Sequence, residues 1–551
     1  MTTATLGYLG HSTLDAGPYR STFQFRPNLC REPVWFEGAL KDPLRFREAM
    51  SALHEVVVSD LRHVKRDRTA YEEYKKRKKD EERALRKELL EKAYSEAEPG
   101  DFPPDLEQRF RKLHRRYWTV RRTWARELMK TDPELWRHLV PCDPVVTVAP
   151  DVVLFEGFSK DESSYGCVTM DRDLLVGGGE ASMGTTNVDY SIALYEHFQT
   201  LRTYRESRLH VDPQGFEVSV EGHEDYREEK IDLPPSWLRG FGQISAATGL
   251  PARRVSLPAH AIYSVLAHLE RHREKHGPRS IRFTLTPGKP PVMTLEPWGT
   301  TIVSRGAPYR GPAPEEIRIW GRRRLRVLRR VLPLLERVDV HLLGSGLPSL
   351  WVAHLGPIRF VLGLSGWTTN DWSSGAQLDL LADAFEPDEQ TMNELATYLY
   401  RERYAKLSTL KQLCPVPEGT AVPEKRILGS LHRLAKRGQI IYDFAAEVYR
   451  YRQILPEALG EEQLGPEPEE VTQGRKLFVA KKVKILKNVV ESDKRVVSAS
   501  VQGTKCEALL DLDGRFLRAR CVCSHHQKFG LKKGPCRHLL ATRLHLRGDA
   551  S

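Results

Sequence analysis

The spacing of hydrophobic residues first predicts a helix-rich N-terminal region, residues 1–144. A short strand at 33–38 precedes a helical pattern that begins near Pro43. Residues 70–98 lack Gly and Pro and carry opposite charges four positions apart, and residues 106–128 place an apolar side chain every three or four positions. These two segments predict a charged helical hairpin. Such a hairpin is usually a solvated arm, and contact with a nucleic acid or protein is the alternative.

Residues 145–372 contain short strand-like runs, several with alternating apolar and polar positions, and two helical stretches, which predicts a mixed α/β region. The predicted helices cover about 257–275 and 321–336. The predicted strands are 152–155, 208–211, 216–220, 281–285, 292–295, 338–342, 350–355 and 358–362. A glycine-rich segment at 179–186 has the glycine spacing of a phosphate loop but lacks its lysine, so we interpret it as a turn.

Residues 385–455 have the element pattern of a winged-helix module. The longest predicted helix begins at Pro423 and stops at Gly438, and it leaves Arg426 and Arg433 outside its apolar face. Two strand-like runs follow, as in a wing. Such modules bind DNA through the longer helix or serve only to dock proteins. Residues 456–473 are rich in Glu and Pro and predict an acidic linker.

Composition narrows the class of protein. A chain of 551 residues with 40% hydrophobic and 29% charged residues predicts several globular domains. The first residues show no secretory pattern, no stretch approaches ~20 consecutive apolar residues, and eight cysteines are too few for a disulfide scaffold. We therefore predict a multidomain α+β protein that is cytoplasmic and has no membrane segment.

The positive charge is concentrated at one end of the chain. The formal net charge is +12, and residues 475–551 hold 18 Lys+Arg against 6 Asp+Glu. The rest of the chain therefore holds 67 basic and 67 acidic residues and has no net charge. A general alkaline bias would have spread the excess. The C-terminal segment is therefore where an anionic partner is expected to bind, although a merely solubilising tail is the alternative.

The same segment contains a candidate metal site. Cys521 and Cys523 are two residues apart, and Cys536 and His538 repeat that spacing after twelve intervening residues. Positions i and i+2 of a strand face the same way, and the second pair opens an apolar run that can form a helix. Three sulfurs and one imidazole form a closed tetrahedral set for zinc (Zn2+). The neighbouring His525 and His526 are alternative ligands.

This C-x-C…C-x-H arrangement resembles the SWIM-type zinc finger. Predicted strands before the first pair, at 474–478, 483–486, 496–503 and 508–512, match that family, which places the finger at residues 474–551. Segments 158–166, 184–191 and 365–373 resemble the long N-terminal regions of bacterial SWIM-finger proteins. The resemblance implies binding to DNA or to proteins rather than catalysis.

We therefore expect a non-catalytic, zinc-binding adaptor that binds nucleic acid, with DNA preferred as the partner. A protein-interaction subunit of a larger bacterial complex is the alternative, and an enzyme with an unrecognised site is the least favoured one. The basic residues predicted to contact phosphates are Lys528, Lys532, Lys533, Arg537 and Arg543, with Arg426 and Arg433 from the winged-helix-like module.

Overall fold

The structure is a computed structural model that forms two compact units, residues 1–59 with 142–551, and residues 60–141. The residues it describes are 13–16, 21–24, 34–60, 109, 112–113, 116, 144–176, 181–187, 192–212, 215–223, 225–229, 235–248, 252–273, 279–366, 371–372, 389–413, 423–452, 469–491, 494–511, 516–531 and 534–548. In the second unit, residues 109, 112, 113 and 116 are helical and exposed, and Asp60 is exposed without regular secondary structure. The predicted charged hairpin lies almost entirely outside the described residues.

A hairpin precedes the predicted strand and helix near the start of the chain. Strands β1 (Thr13–Ala16) and β2 (Ser21–Gln24) form a hairpin, and β3 (Phe36–Leu40) leads into helix α1 (Pro43–Val58). The Asp42 carboxylate accepts a hydrogen bond from the Arg45 amide, so a side-chain cap and a proline at the first turn start the helix where the sequence predicts it.

The central region is a set of antiparallel sheets with helices between them. Its strands are β4 (Val145–Val148), β5 (Val152–Phe158), β6 (Ser164–Asp171), β7 (Leu175–Val176), β8 (Gly184–Asn187), β9 (Ser207–Asp212), β10 (Gly215–Val220), β11 (Tyr226–Glu229), β12 (Arg253–Pro258), β13 (Ile281–Leu285), β14 (Val292–Leu295), β15 (Thr300–Val303), β16 (Glu315–Ile319), β17 (Arg337–Leu342), β18 (Ser349–Leu355) and β19 (Ile358–Leu364). Its helices are α2 (Ile192–Phe198), α3 (Pro235–Thr248), α4 (Ala259–Arg271) and α5 (Leu328–Val331). All the predicted central strands are confirmed.

Three sheets arise from these strands. One has eight strands in the order β12-β17-β18-β19-β6-β5-β4-β8, one has five in the order β11-β10-β9-β3-β7, and one has four in the order β15-β14-β13-β16. Every residue of β5 is buried, because the eight-stranded sheet is covered on both faces. Val153 and Phe155 belong to the same core as α1, whereas Val152 and Leu154 pack with α3.

The helix predicted at about 321–336 is broken. It consists of a 3-10 segment at Arg322–Val327, the single turn α5, and another 3-10 turn at Leu332–Leu334. Gly321 has a φ of 81°, which starts the segment from a left-handed residue, and Pro333 has no amide hydrogen to continue an α-helical ladder.

The elements predicted for residues 385–455 are present in the predicted order, and we call residues 389–452 the helical module. They are α6 (Glu389–Glu402), β20 (Tyr404–Ala405), α7 (Leu407–Leu413), α8 (Pro423–Lys436), β21 (Ile440–Asp443) and β22 (Val448–Tyr451). The sheet order is β20-β22-β21, and α8 packs against α3 and α6.

Buried ion pairs join the helical module to the eight-stranded sheet. The Arg452 Nη1 atom donates to both oxygens of Glu156 at 2.6 Å, and both side chains are fully buried. Arg450 binds Asp151 at 2.6 and 2.9 Å and Asp443 at 2.9 Å. The hairpin that would form an exposed wing therefore directs two arginines into the body of the protein.

Residues 469–548 form what we call the C-terminal module. It contains α9 (Glu469–Val479), β23 (Val483–Glu491), β24 (Lys494–Val501), β25 (Thr504–Asp511), β26 (Phe516–Cys521), α10 (Ser524–Phe529) and α11 (Arg537–Gly548). The four strands form an antiparallel meander with α11 packed on one face. Its core contains buried residues of β24, β25 and α11.

One sequence prediction is wrong in this module and another is shortened, and residues 456–468 of the predicted linker lie outside the described residues. Residues 474–478, predicted as a strand, belong to helix α9, and the same helix takes the last part of the predicted linker 456–473. The reason is tertiary, because the buried residues Val471 and Gly474 lie three apart on the side of α9 that packs against α11. The strands predicted at 483–486, 496–503 and 508–512 are present, with slightly different ends.

Within the described ranges, no helix is both long enough and apolar enough to cross a bilayer.

Candidate metal centre and basic surface

Three elements bring the four predicted ligands together. Cys521 ends β26, Cys523 is the N-cap of α10, and Cys536 and His538 lie at the start of α11. One ligand atom from each residue lies within 4.8 Å of all the others. The cluster of three thiols and one imidazole could therefore hold a metal ion, consistent with a zinc finger.

Strand alternation positions Cys521 but not Cys523. Cys521 follows the inward side of β26, opposite Cys506 of β25. Cys523 lies beyond the strand, and its Sγ atom accepts a hydrogen bond from the amide of His526 at 3.4 Å. The turn into α10, rather than strand alternation, aims the second thiol at the site. His525 and His526 lie outside the group of four.

The electrostatics of the cluster favour a cation. A hydrogen bond from the thiol of Cys536 lowers the pKa of Cys521 to about 4, and the same bond raises the pKa of Cys536. The Sγ atom of Cys521 also lies 3.7 Å from Nδ1 of His538. Three crowded thiols cannot all ionise without a nearby positive charge, and a bound metal ion supplies that charge.

A fourth cysteine lies close to the site but has a different environment. Cys506 is 2% exposed, and its Sγ atom lies 3.3 Å from the hydroxyl of Thr542. Burial raises its pKa to about 11, so this residue is a neutral thiol at physiological pH. Cys506 therefore belongs to the packing around the site rather than to the ligand set.

Helix α9 holds the start of α11 in place. Glu470 accepts hydrogen bonds from the Arg537 amide and from Nη2 of its guanidinium, both at 2.6 Å. These bonds from Arg537 keep the pKa of Glu470 below its usual value, although burial acts in the opposite direction. Because Arg537 lies between two ligands, this pair orients the second half of the site. The two adjacent glutamates at the start of α9 are the only local signal for this contact.

The close approach of α9 and α11 yields a stability prediction. A Cβ atom on Gly474 would lie 2.8 Å from Cβ of Leu540 and 3.2 Å from the Arg537 carbonyl oxygen, and neither atom can rotate away. We expect Gly474→Ala to lower the unfolding free energy of the C-terminal module by about 1–3 kcal/mol. Denaturant unfolding of the metal-loaded protein measures it. The control Lys476→Ala, at an exposed position of the same helix, should change little; equal unfolding of both variants would contradict the prediction.

The basic residues predicted to bind phosphates have different environments. Lys528 is exposed, with its ammonium 5.1 Å from the centre of the Phe529 ring. Arg537 is bound to Glu470, and Arg543 is only 4% exposed and lies over the Phe516 ring. Lys532 and Lys533 lie outside the described residues. On α8, Arg426 is exposed and Arg433 is half-buried. Those of the predicted residues that the structure describes therefore do not form one exposed cluster.

Comparisons with known proteins provide little further guidance. No known family and no curated protein sequence matches this chain. Among solved structures, proliferating cellular nuclear antigen from Entamoeba histolytica is similar with a TM-score of 0.31 and 10% identity, over 41% of this chain and 89% of that one. The same antigen from Thermococcus kodakaraensis is similar with a TM-score of 0.31 and 14% identity, over 41% of this chain and 90% of that one. Similarity at this level supports no conclusion about the fold or function of the chain.

Proposed function

We propose that this protein is a non-catalytic adaptor whose C-terminal module is a SWIM-type finger, stabilised by zinc, that binds DNA. The observation that carries the proposal is the charge distribution, since residues 475–551 account for the whole net charge of +12. A module that combines this excess with a compact metal centre is suited to a polyanionic partner.

The donor set supports zinc as the metal. Bonds of about 2.3 Å to sulfur and about 2.0 Å to nitrogen in a tetrahedral site imply a sulfur–nitrogen separation of roughly 3.6 Å. The distance of 3.7 Å between Cys521 Sγ and His538 Nδ1 is close to that value. The other pairs of ligand atoms lie within 4.8 Å of each other, so small movements of these side chains would bring them to bonding positions around one ion. Thiolates select zinc over magnesium or calcium. Four protein ligands complete the tetrahedron, as in structural rather than catalytic zinc sites.

The C-terminal module is the better candidate for the main DNA contact than the helical module. Helix α8 packs against α3 and α6, and Arg450 and Arg452 of the neighbouring hairpin are buried in ion pairs. The exposed Arg426 offers one additional phosphate contact on α8. The alternative occupant of the basic surface is an acidic protein, which the same cations would attract.

Binding of DNA should depend on the C-terminal module and on salt. We expect the metal-loaded full chain to bind a fluorescent duplex, with affinity that falls steeply as salt rises, because phosphate contacts release counterions. A version that ends at Pro468 should lose this binding. The end point precedes Glu469 because α9 belongs to the C-terminal module. Fluorescence anisotropy across a salt series measures both proteins, with circular dichroism to confirm that the shorter chain is folded. Equal binding by both chains, or none by the full chain, would refute the proposal.

A further inference from the structure

The four-stranded sheet of the C-terminal module has two chemically different faces. The inward positions are apolar and buried toward α11, as with Val497, Ala499 and Val501 of β24. The charged outward positions are exposed, and Ser498 and Ser500 between them are half-buried. We call this side the open face, and its polar members among the described side chains are Lys484, Lys487, Lys494, Ser498, Ser500, Lys505, Glu507, Arg518 and Arg520.

Strand register groups the cations of the open face into adjacent rows. One row runs across the sheet through Lys487, Ser498, Glu507 and Arg520, and the next runs through Lys484, Ser500 and Lys505. Within the described part of the chain, none of the six cations of the open face forms an ion pair. Strands are about 4.8 Å apart, so the first row spans roughly 14 Å. The result is a flat basic surface with serine hydroxyls at its centre.

We propose that the open face binds the sugar–phosphate backbone of duplex DNA, an inference that rests on the function proposed above. Among the described side chains, six cations and one carboxylate, Glu507, give the surface a strong positive charge. The Ser498 and Ser500 hydroxyls supply neutral donors for phosphate oxygens between the charged side chains. The width of the row is comparable to that of a DNA groove, about 12 Å, so it can reach phosphates on both sides of one.

The chemistry of the open face favours a duplex over unpaired strands. Proteins that bind single strands stack bases on aromatic rings. At the outward positions whose side chains the structure describes, the residues are Lys, Arg, Ser, Glu, Val and Leu, and none is aromatic. The expected binding is therefore to phosphates and independent of base sequence.

This surface differs from the one expected around the metal ligands. The predicted cations nearest the ligands include Arg537, which is bound to Glu470, and Arg543, which is buried. The cations of the open face lie on the side of the sheet away from α11, and removing them leaves the metal ligands and the core unchanged. The two surfaces can therefore be tested separately.

A matched pair of variants of the full, metal-loaded chain tests the assignment. The open-face variant is Lys484→Gln, Lys487→Gln and Lys505→Gln. The control variant is Lys289→Gln, Lys476→Gln and Lys481→Gln, three exposed lysines outside the open face. We expect the open-face variant to bind a duplex at least about 30-fold more weakly near 0.1 M salt, with a salt slope smaller by about 2 to 3. The control should retain most of the affinity. Metal content and circular dichroism verify folding.

Glu507→Gln provides a change in the opposite direction that a folding defect cannot mimic. Loss of the carboxylate from the open face should tighten duplex binding severalfold. If the wild type binds but the two triple variants weaken it equally, or if Glu507→Gln has no effect, the open face is not the contact surface, although the proposed function stands. Preference for single-stranded over duplex DNA would overturn the duplex assignment. If the wild type does not bind DNA at all, the proposed function and this inference fall together.

Discussion

Replacing Cys536 with serine is expected to unfold the C-terminal module while the rest of the chain remains folded. Cys536 is fully buried, and its thiol is hydrogen-bonded to Cys521 within the ligand cluster. A bound structural metal supplies on the order of 10 kcal/mol of folding free energy, which a small module cannot replace. Hydrogen exchange should show fast amide exchange throughout 469–548 and unchanged protection in 144–176 and 279–366.

Two comparisons make this result specific to the metal. A chelator added to the wild type should reproduce the exchange pattern of Cys536→Ser. Cys506→Ser changes a cysteine in the same core that is not a ligand, and it should retain one metal ion per chain. Persistent protection of the C-terminal module in Cys536→Ser, or in the chelated wild type, would show that packing alone folds it.

Neutralising Glu156 is expected to destabilise the junction between the helical module and the eight-stranded sheet. Glu156 is fully buried and binds Arg452, which is also fully buried, while the Tyr165 hydroxyl donates to the same carboxylate at 2.6 Å. Glu156→Gln preserves the shape but leaves a guanidinium in the interior without its counter-charge. The expected loss in unfolding free energy is about 3–5 kcal/mol. Denaturant unfolding followed by tryptophan fluorescence measures it.

Surface and double variants show whether the loss comes from the buried charge. Glu447→Gln breaks a half-exposed pair with Arg254 between the same two regions, and it should cost no more than about 1 kcal/mol. Replacing Glu156 and Arg452 together by leucine removes both charges and should recover much of the stability. A loss for Glu156→Gln no larger than for Glu447→Gln would mean that solvent reaches the pair.

Local signals in the sequence were sufficient for much of the fold. Strands 281–285 and 292–295 have the predicted ends, and Pro43 and Pro423 begin helices as expected. The ligand cluster was also predictable, because its residues come from two short motifs, C-x-C and C-x-H, that are close in the sequence. In each case the information lies within a few residues of the feature it determines.

Features that depend on distant partners were not predictable. Helix α9 contains Gly474 and β-branched residues, and it is held by contacts with α11 more than sixty residues later. Arg452 has its partner 296 residues earlier, and no local pattern marks it as buried. The distribution of net charge along the sequence identified the C-terminal module as basic. It did not show which cations are exposed, because the burial of Arg543 and the grouping of the open-face cations both depend on the fold.

The turn between β24 and β25 determines which chemistry each face of the sheet presents. Gln502 and Gly503 have φ values of 50° and 81°, as in the two-residue turn that pairs Val501 with Thr504. One additional residue in this turn would move β25 by one residue relative to β24, so the side chains of β25 would change faces. Cys506 would become exposed, and Lys505 and Glu507 would face α11. The strand that reaches Cys521 would be displaced with it. A single loop thus couples metal coordination to surface charge, so natural variation in length should be tolerated at other turns of this meander before it is tolerated here.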